Sequence, residues 1–270
     1  MTCVADVVAV LDERYPQGWA EDWDRVGLVL GEPRAEARRV LLVVDCVPST
    51  VQEALDRGVD MIVAHHPLLL RGVSSLAPTT YKGDTVHRLI RAGIALFTAH
   101  TNADVAAPGV SDALAARLGL TDLRPLRPAT GDATGGGRGV GRIGRLPRPV
   151  TLAEFTRAAA VALPKTAWGV RAAGPADLTV STVAVCGGAG DSYLGDAASA
   201  GVDAYLTADL RHHPASEAIA EGGPALLDAA HWATERPWLD DAARLLADSL
   251  GIETLVSDID TDPWTLHASA

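Results

Sequence analysis

The chain is poor in lysine, cysteine and aromatic side chains, and each shortage narrows what it can be. Of its 23 basic residues only Lys82 and Lys165 are lysine. Together with abundant Ala and Gly, that arginine excess matches GC-rich bacterial coding, a genomic bias without functional content. The three cysteines, Cys3, Cys46 and Cys186, stand far apart with no CxxC pair, which excludes a disulfide framework and a cysteine-based zinc site. Aromatics are 4% of the chain, so the core is expected from Ala, Val and Leu. No apolar run approaches the ~20 residues of a membrane span. The start, MTCVADVVAV, has no basic n-region and carries Asp6 inside its apolar stretch, so it reads as no export signal and the cytoplasm is the expected compartment.

Positive charge is also short. The 34 acidic residues outnumber the 23 basic ones, for a net charge of −11. That balance gives no broad footprint for a phosphate backbone and argues against non-specific nucleic-acid binding. A local pocket for one phosphorylated molecule stays open. No GxSxG elbow or convincing Cys nucleophile setting occurs, so covalent catalysis is disfavoured. GGAG (Gly187 to Gly190) lacks the lysine of a P-loop and does not match GxGxxG, so a tight strand-to-helix turn is preferred over a phosphate cradle.

What is present is the alternating rhythm of an α/β protein in 270 residues, enough for one large domain or two intimate halves. Helices are expected over Val4–Arg14, from Ser49-Thr50 to Gly58, near Thr85–Ala92, over Gly109–Leu118 and from Thr234 to Leu250. Strands are expected at Gly27–Gly31, Arg39–Cys46, Met61–Ala64, Ile94–Ala99, Gly139–Leu146, Thr179–Cys186, Asp203–Thr207 and Ala225–Ala229. Thr151 with Glu154 three residues on forms a capping box that opens another helix. The stretch from Thr121 to Gly137 reads as a Pro/Gly-rich connector, so the expected division is a first α/β half over 1–124, a connector over 125–138 and a second half over 139–270. An internal echo supports two related halves. EALDRGVDMIVAHHPL (Glu53 to Leu68) and DAASAGVDAYLTADLRHHPAS (Asp196 to Ser216) both run helix, Gly-Val-Asp, strand and His-His-Pro.

The histidines carry the chemistry. His65 and His66 begin where the strand MIVA ends; His100 and Asp104 follow the strand IALFTA; His231 follows ALLDA with Glu235 four residues on. Open α/β sheets place ligand sites beyond the carboxyl ends of their strands, so these donors converge if the strands are neighbours. Adjacent residues in extended chain point to opposite faces, so His65 and His66 are expected to serve two nearby metals and not one. His231 and Glu235 share a helix face, and a carboxylate with two oxygens is able to bridge two ions. His65, His66, Asp104, His231 and Glu235 thus suit two divalent ions, Zn, Fe, Mn or Co in preference to Mg or Ca, which favour all-oxygen shells. Plainer readings stand beside this one: His-His-Pro as an ordinary loop, His231 and Glu235 as a surface pair, Asp104 as a turn brace. His212 and His213 are rival donors, with a solvated polar face preferred for them; His87 and His267 are bystanders. His100 is the candidate for proton transfer, with orientation of a ligand or packing of its turn as the equal alternative. Arg71 and Lys82 are candidates to receive phosphate, with surface charge the preferred reading.

The chain resembles the Nif-three-like dinuclear metal-centre proteins, a family that also carries the name GTP cyclohydrolase I type 2. The matching stretches are EDWDRVGLVLG, VAHHPLL, TAHTNADVAAPGVSDALAARLGL, GVGRIGRL, VAVCGGAGDS, GVDAYLTADLRHH and DAAHWATERPWL. The resemblance implies two related α/β halves facing each other around a dinuclear metal site, and a toroidal homohexamer. The family's ligands fall on His65, His66, Asp104, His231 and Glu235, with the glutamate bridging. The short connector marks the compact form without an inserted central domain. Two departures stand out: the usual Thr-Gly-Glu is Thr207-Ala208-Asp209, and the Gly before the ligand histidine is Ala230.

The function that follows is a metal-dependent hydrolase on a nucleotide-like substrate, the resemblance pointing to opening of the guanine imidazole ring of GTP at C8. Two alternatives remain: a non-catalytic hexameric metal-binding or regulatory protein acting through partners, and a metal-dependent phosphatase or nuclease.

Overall fold

The computed structural model describes residues 1–130 and 137–268. Its elements run α1 (Val4–Arg14), β1 (Gly27–Leu30), β2 (Arg39–Val43), α2 (Pro48–Arg57), β3 (Met61–Ala64), α3 (Tyr81–Ala92), β4 (Ala95–Thr98), α4 (Thr101–Asp104), α5 (Val110–Arg117), β5 (Thr121–Pro128), β6 (Gly139–Thr151), α6 (Leu152–Ala162), β7 (Val170–Ala173), β8 (Thr179–Ala189), α7 (Leu194–Ser199), β9 (Ala204–Ala208), α8 (His212–Ala220), β10 (Ala225–Ala229), α9 (His231–Leu250) and β11 (Glu253–Val256). The class is mixed α/β with two sheets, as the alternation of patterns predicts. The chain divides into two compact units, Met1–Ala103 with Leu239–Thr261, and Asp104–Trp238 with Asp262–Ala270.

The first unit carries a five-stranded sheet in the order β1-β4-β3-β2-β11. The β4, β3, β2 and β11 strands run parallel, and β1 closes the edge antiparallel to β4. Its central strands are buried along their whole length, which is why they read as unbroken apolar runs without alternation. Leu41, Val43, Ile62, Ala64 and Leu96 pack against Val51 and Ala54 of α2 and Val86 and Leu89 of α3.

The second unit carries six strands in the order β5-β6-β8-β9-β10-β7. Here only β8, β9 and β10 are mutually parallel, flanked on both sides by antiparallel neighbours. Tyr205, Leu226, Ala184 and Ile143 form its core with Leu194 and Ala197 of α7.

The Gly-Val-Asp echo is a real structural step in both units. Gly58 ends α2 in the left-handed region at φ 59°, and Gly201 follows α7 at φ 64°. Val59 and Val202 then enter the core, each burial contributing about 1.5–3 kcal/mol. The carboxylate that follows clamps the neighbouring strand. Asp60 Oδ2 accepts from the amides of Arg38 and Arg39 at 2.7 and 2.9 Å. Asp203 Oδ2 accepts from the amides of Ser181 and Thr182 at 2.9 and 2.8 Å, and from the Thr182 hydroxyl. The His-His-Pro half of the echo does not match. His65 and His66 sit at the end of β3, whereas His212 and His213 open α8.

Several expectations need correction. The stretch expected as a structureless connector begins with β5, the outer strand of its sheet, paired to β6 from Thr121↔Arg145 to Pro128↔Gly139. Two prolines hid it, and an edge strand tolerates proline because one side of its ladder is unpaired. The rest of that connector includes 131–136, outside the described residues. The units divide after Ala103, inside the sequence expected as the first half. The last helix begins at His231 and not at Thr234. Edge strands β7 and β11 were too short and too exposed to leave a pattern. The Thr151–Glu154 capping box forms as expected, with Thr151 Oγ1 accepting from the Glu154 amide and Glu154 Oε2 from the Thr151 amide. No described helix is long and apolar enough to cross a membrane.

Candidate metal centre

In the first unit the carboxyl ends of β2, β3 and β4 finish level, since Val43 pairs with Ala64 and Ala64 with Thr98. The chain leaves the regular ladder after Ala64, and the His65 and His66 amides both donate to β2 and the residue after it, at the Val43 and Val44 carbonyls. His65, His66 and His100 emerge here as one cluster. Their ring centroids lie 5.0 to 5.4 Å apart. One ring nitrogen of each falls within 4.8 Å of the others, close enough to hold a metal ion. The opposite-face argument for His65 and His66 fails because the chain bends after Ala64; alternation holds only inside a regular strand.

Each ring is oriented through Nδ1 by an acceptor. His65 Nδ1 lies 2.9 Å from the Ala99 carbonyl, His66 Nδ1 2.8 Å from Asp45 Oδ1, and His100 Nδ1 2.9 Å from Asp24 Oδ1. A carbonyl or an ionised carboxylate only accepts, so each Nδ1 carries a hydrogen. In the neutral ring Nε2 is then the lone-pair donor, the tautomer that metal-binding histidines use. Asp45 is braced by Thr261 Oγ1. Asp24 is buried, which by itself raises its pKa. Hydrogen bonds from His100 and Thr101 outweigh burial and hold the carboxyl well below the usual range.

The second unit builds a different cluster at the end of β10. His231 opens α9, and its Nε2 lies 3.0 Å from Oε1 of Glu235 one turn on. Its Nδ1 lies 2.7 Å from Oδ2 of Asp209, the residue after β9. The negative charge of Glu235, against the opposing effect of burial and with further help from Asp209, holds the His231 ring up to about 11. Behind the pair lies Gly188, at φ +66°. A Cβ there would stand 2.4 Å from Glu235 Oε1 and 3.1 Å from His231 Nε2. The expected strand-to-helix turn of the GGAG stretch is made at Gly190, just before the helical turn over 191–193. Gly187 and Gly188 belong to β8, and the missing side chain makes room for the carboxylate. The charges of Asp104 and Glu235 both raise the thiol of Cys186, which burial, the larger cause, pushes up to about 12.

The expected donors thus fall into two sets. The first unit holds His65 and His66 and adds His100 to them; the second holds Asp104, His231 and Glu235. His212 and His213 are exposed on α8 with their rings against each other, His87 lies on α3 and His267 in the exposed tail. Arg71 is exposed, and Lys82 lies 5.9 Å from the Tyr81 ring centroid. Sequence reasoning missed Asp24, Asp45 and Asp209 as orienting groups, and Gly188. Asp45 carried a usable signal, since it ends an apolar strand run on the rim where the histidines were sought. The donor chemistry fits divalent transition metals: imidazole nitrogens held by acceptors at Nδ1, together with carboxylate oxygens.

The family model for Duf34/NIF3 (NGG1p interacting factor 3) matches residues 2–263. The chain belongs to this family. A Streptomyces coelicolor protein named GTP cyclohydrolase 1 type 2 homolog is 52% identical over 275 residues, covering 100% of this chain and 96% of that one. A Mycobacterium tuberculosis protein of the same name is 39% identical over 368 residues, covering 97% of each. That alignment is longer than this chain, so the mycobacterial relative carries residues that this Duf34/NIF3 protein lacks. Among solved structures, a Bacillus cereus protein related to NIF3 superposes with a TM-score of 0.90 at 23% identity over 99% of both chains, a likeness of fold. A Staphylococcus aureus hypothetical protein gives 0.88 at 28% identity, over 98% of this chain and 99% of that one.

Proposed function

We propose that the two donor sets form one dinuclear divalent-metal centre, with His65, His66, Asp104, His231 and Glu235 as ligands and Glu235 bridging. On this reading the protein is a metal-dependent hydrolase acting on a nucleotide-like substrate. The observation that carries it is the common state of the three first-unit imidazoles. His65, His66 and His100 each place Nδ1 within 2.8–2.9 Å of an acceptor oxygen, leaving Nε2 for chemistry, while His231, held at Nδ1 by Asp209, keeps its Nε2 beside Glu235 Oε1. The nucleotide substrate is supported by the printed name of the relatives alone, and a fold does not fix a substrate. The ring-shaped homohexamer and the cytoplasmic setting are part of the same reading and rest on the family.

Bound divalent ions would supply Lewis acidity and lower the pKa of water toward ~7. The chain supplies the rest. Asp45 and Asp209 orient His66 and His231, and the Ala99 carbonyl orients His65. His100, held by the ionised Asp24, presents its Nε2 to take a proton from the attacking water and return it to the leaving nitrogen or oxygen.

Elemental analysis of wild type beside Glu235→Ala tests the centre. Two ions per chain are expected in the first and one or fewer in the second; full metal content in the variant would refute the bridge. Product analysis with GTP separates the chemistries: a ring-opened formamide, or formate once a second water cleaves it, marks ring opening, and phosphate marks a phosphatase. A metal-loaded protein that yields neither, and stays inert toward phosphate esters and nucleic acid, would point to the non-catalytic reading.

A further inference from the structure

Trp23 is an unusual side chain in a chain so poor in aromatics. It is 54% exposed, yet the turn that carries it is fixed from below. The Asp24 amide donates to the Glu21 carbonyl, closing the turn, and the Glu21 amide donates to Thr101 Oγ1 at 2.9 Å. Asp24 itself is buried; its Oδ2 accepts from the Thr101 amide and hydroxyl at 3.0 and 2.6 Å, and its Oδ1 faces His100 Nδ1. The Arg25 guanidinium adds bonds to the Asp22 and Asp24 carbonyls. The indole meets the His100 ring nearly at right angles, with centroids 5.8 Å apart. Such an edge contact occupies at most one face of an aromatic ring. Of the other exposed aromatics, Tyr81 is near Lys82 and Trp264 packs on Trp168. Trp23 alone among these three stands against the histidine cluster.

A large apolar surface carried on a braced turn, half in solvent beside three imidazoles, is suited to a flat partner. Rigid aromatic surface gains affinity because little freedom is lost on binding. We propose that Trp23 is the platform on which the heterocycle of a purine nucleotide stacks, making it a specificity-determining residue that selects ring-bearing ligands over bare phosphates. The proposal rests on the reading that the His65–His66–His100 cluster belongs to the reacting site.

The test is equilibrium binding of GTP, guanosine and tripolyphosphate to metal-loaded wild type, Trp23→Ala and Trp23→Phe, with metal content and assembly size measured on the same samples. Removing a stacking partner costs roughly five- to hundred-fold in affinity. We expect that loss for GTP and guanosine in Trp23→Ala, recovery of most of it in Trp23→Phe, and unchanged tripolyphosphate binding and metal content. Equal GTP affinity in wild type and Trp23→Ala at full metal content would overturn the platform while leaving the metal centre standing. Absence of purine binding by wild type would also overturn it. So would a smaller assembly for Trp23→Ala with unaltered ligand affinity, which would make Trp23 an interface residue. The metal centre fails only on its own measurement, the ion content of wild type beside Glu235→Ala.

Discussion

The two sheets of this protein reach their strand ends by the same step and finish in different chemistry. In both, a helix stops at a left-handed glycine, a valine enters the core, and an aspartate clamps two successive amides of the neighbouring strand. Beyond that point the first unit presents three imidazoles, whereas the second presents one imidazole between two carboxylates. The scaffold is therefore indifferent to the donors it carries. The clamp sits at the amino end of the strand and sets its register, while the functional residues sit at the carboxyl end, where no ladder bond depends on their identity. One unit can collect nitrogen donors and the other oxygen donors without a change of fold.

Placing a methyl group on one left-handed glycine of each unit, behind the donors at Gly188 and away from them at Gly58, breaks this comparison most sharply. Gly188→Ala forces a side chain against Glu235 Oε1 in a left-handed backbone, a combination that costs about 2–4 kcal/mol. Thermal unfolding should show that loss together with reduced metal content. Gly58→Ala in the first unit meets nothing within 4 Å, so only the backbone cost of about 1 kcal/mol remains and metal content should hold. Equal effects at the two positions would sink the idea that Gly188 serves the carboxylate.

The shared clamp predicts a matched, smaller effect. Asp60→Ala and Asp203→Ala should each lose about 1.5–3 kcal/mol in urea unfolding, the usual worth of hydrogen bonds to a charged group, with metal content intact. Their pH dependence can be followed at Asp203. Burial opposes its charge, but the Thr182 and Ser181 amides and the Thr182 hydroxyl win and hold its pKa below the ordinary carboxylate value. A depressed folded pKa stabilises above the unfolded pKa and loses that contribution as pH falls through the folded one. The gap between wild type and Asp203→Asn should accordingly be constant near neutrality and shrink under acid. A gap that widened in acid would contradict the clamp.

The smallest effect is expected where the echo misleads. His212 and His213 copy the His-His-Pro of the first unit in sequence but lie exposed on α8. Replacing both by alanine should change stability by no more than about 0.5 kcal/mol and leave ion content unaltered. Loss of an ion would restore them as ligands.

Much of this was legible from the chain alone. β3 and β10 fall where their apolar runs predict, because strands buried on both faces need no pattern beyond continuous hydrophobicity. The Thr151–Glu154 box and the stop at Gly58 were legible because capping is chemistry among residues a few positions apart. β5 was not, since an edge strand satisfies half its backbone in water and accepts proline and arginine.

The same distinction governs the site. Local sequence determined that His65, His66, His100 and His231 stand at strand ends, because strand ends are fixed by short-range patterning. It did not determine how each ring is turned. Asp24 lies 76 residues from His100, Asp45 21 from His66, and Asp209 22 from His231, so no spacing rule links them. Only the folded sheets bring those carboxylates to Nδ1, and with that contact the tertiary structure decides which nitrogen of His66 and His100 carries the hydrogen and which is left to act, and pairs His231 with carboxylates at both of its nitrogens.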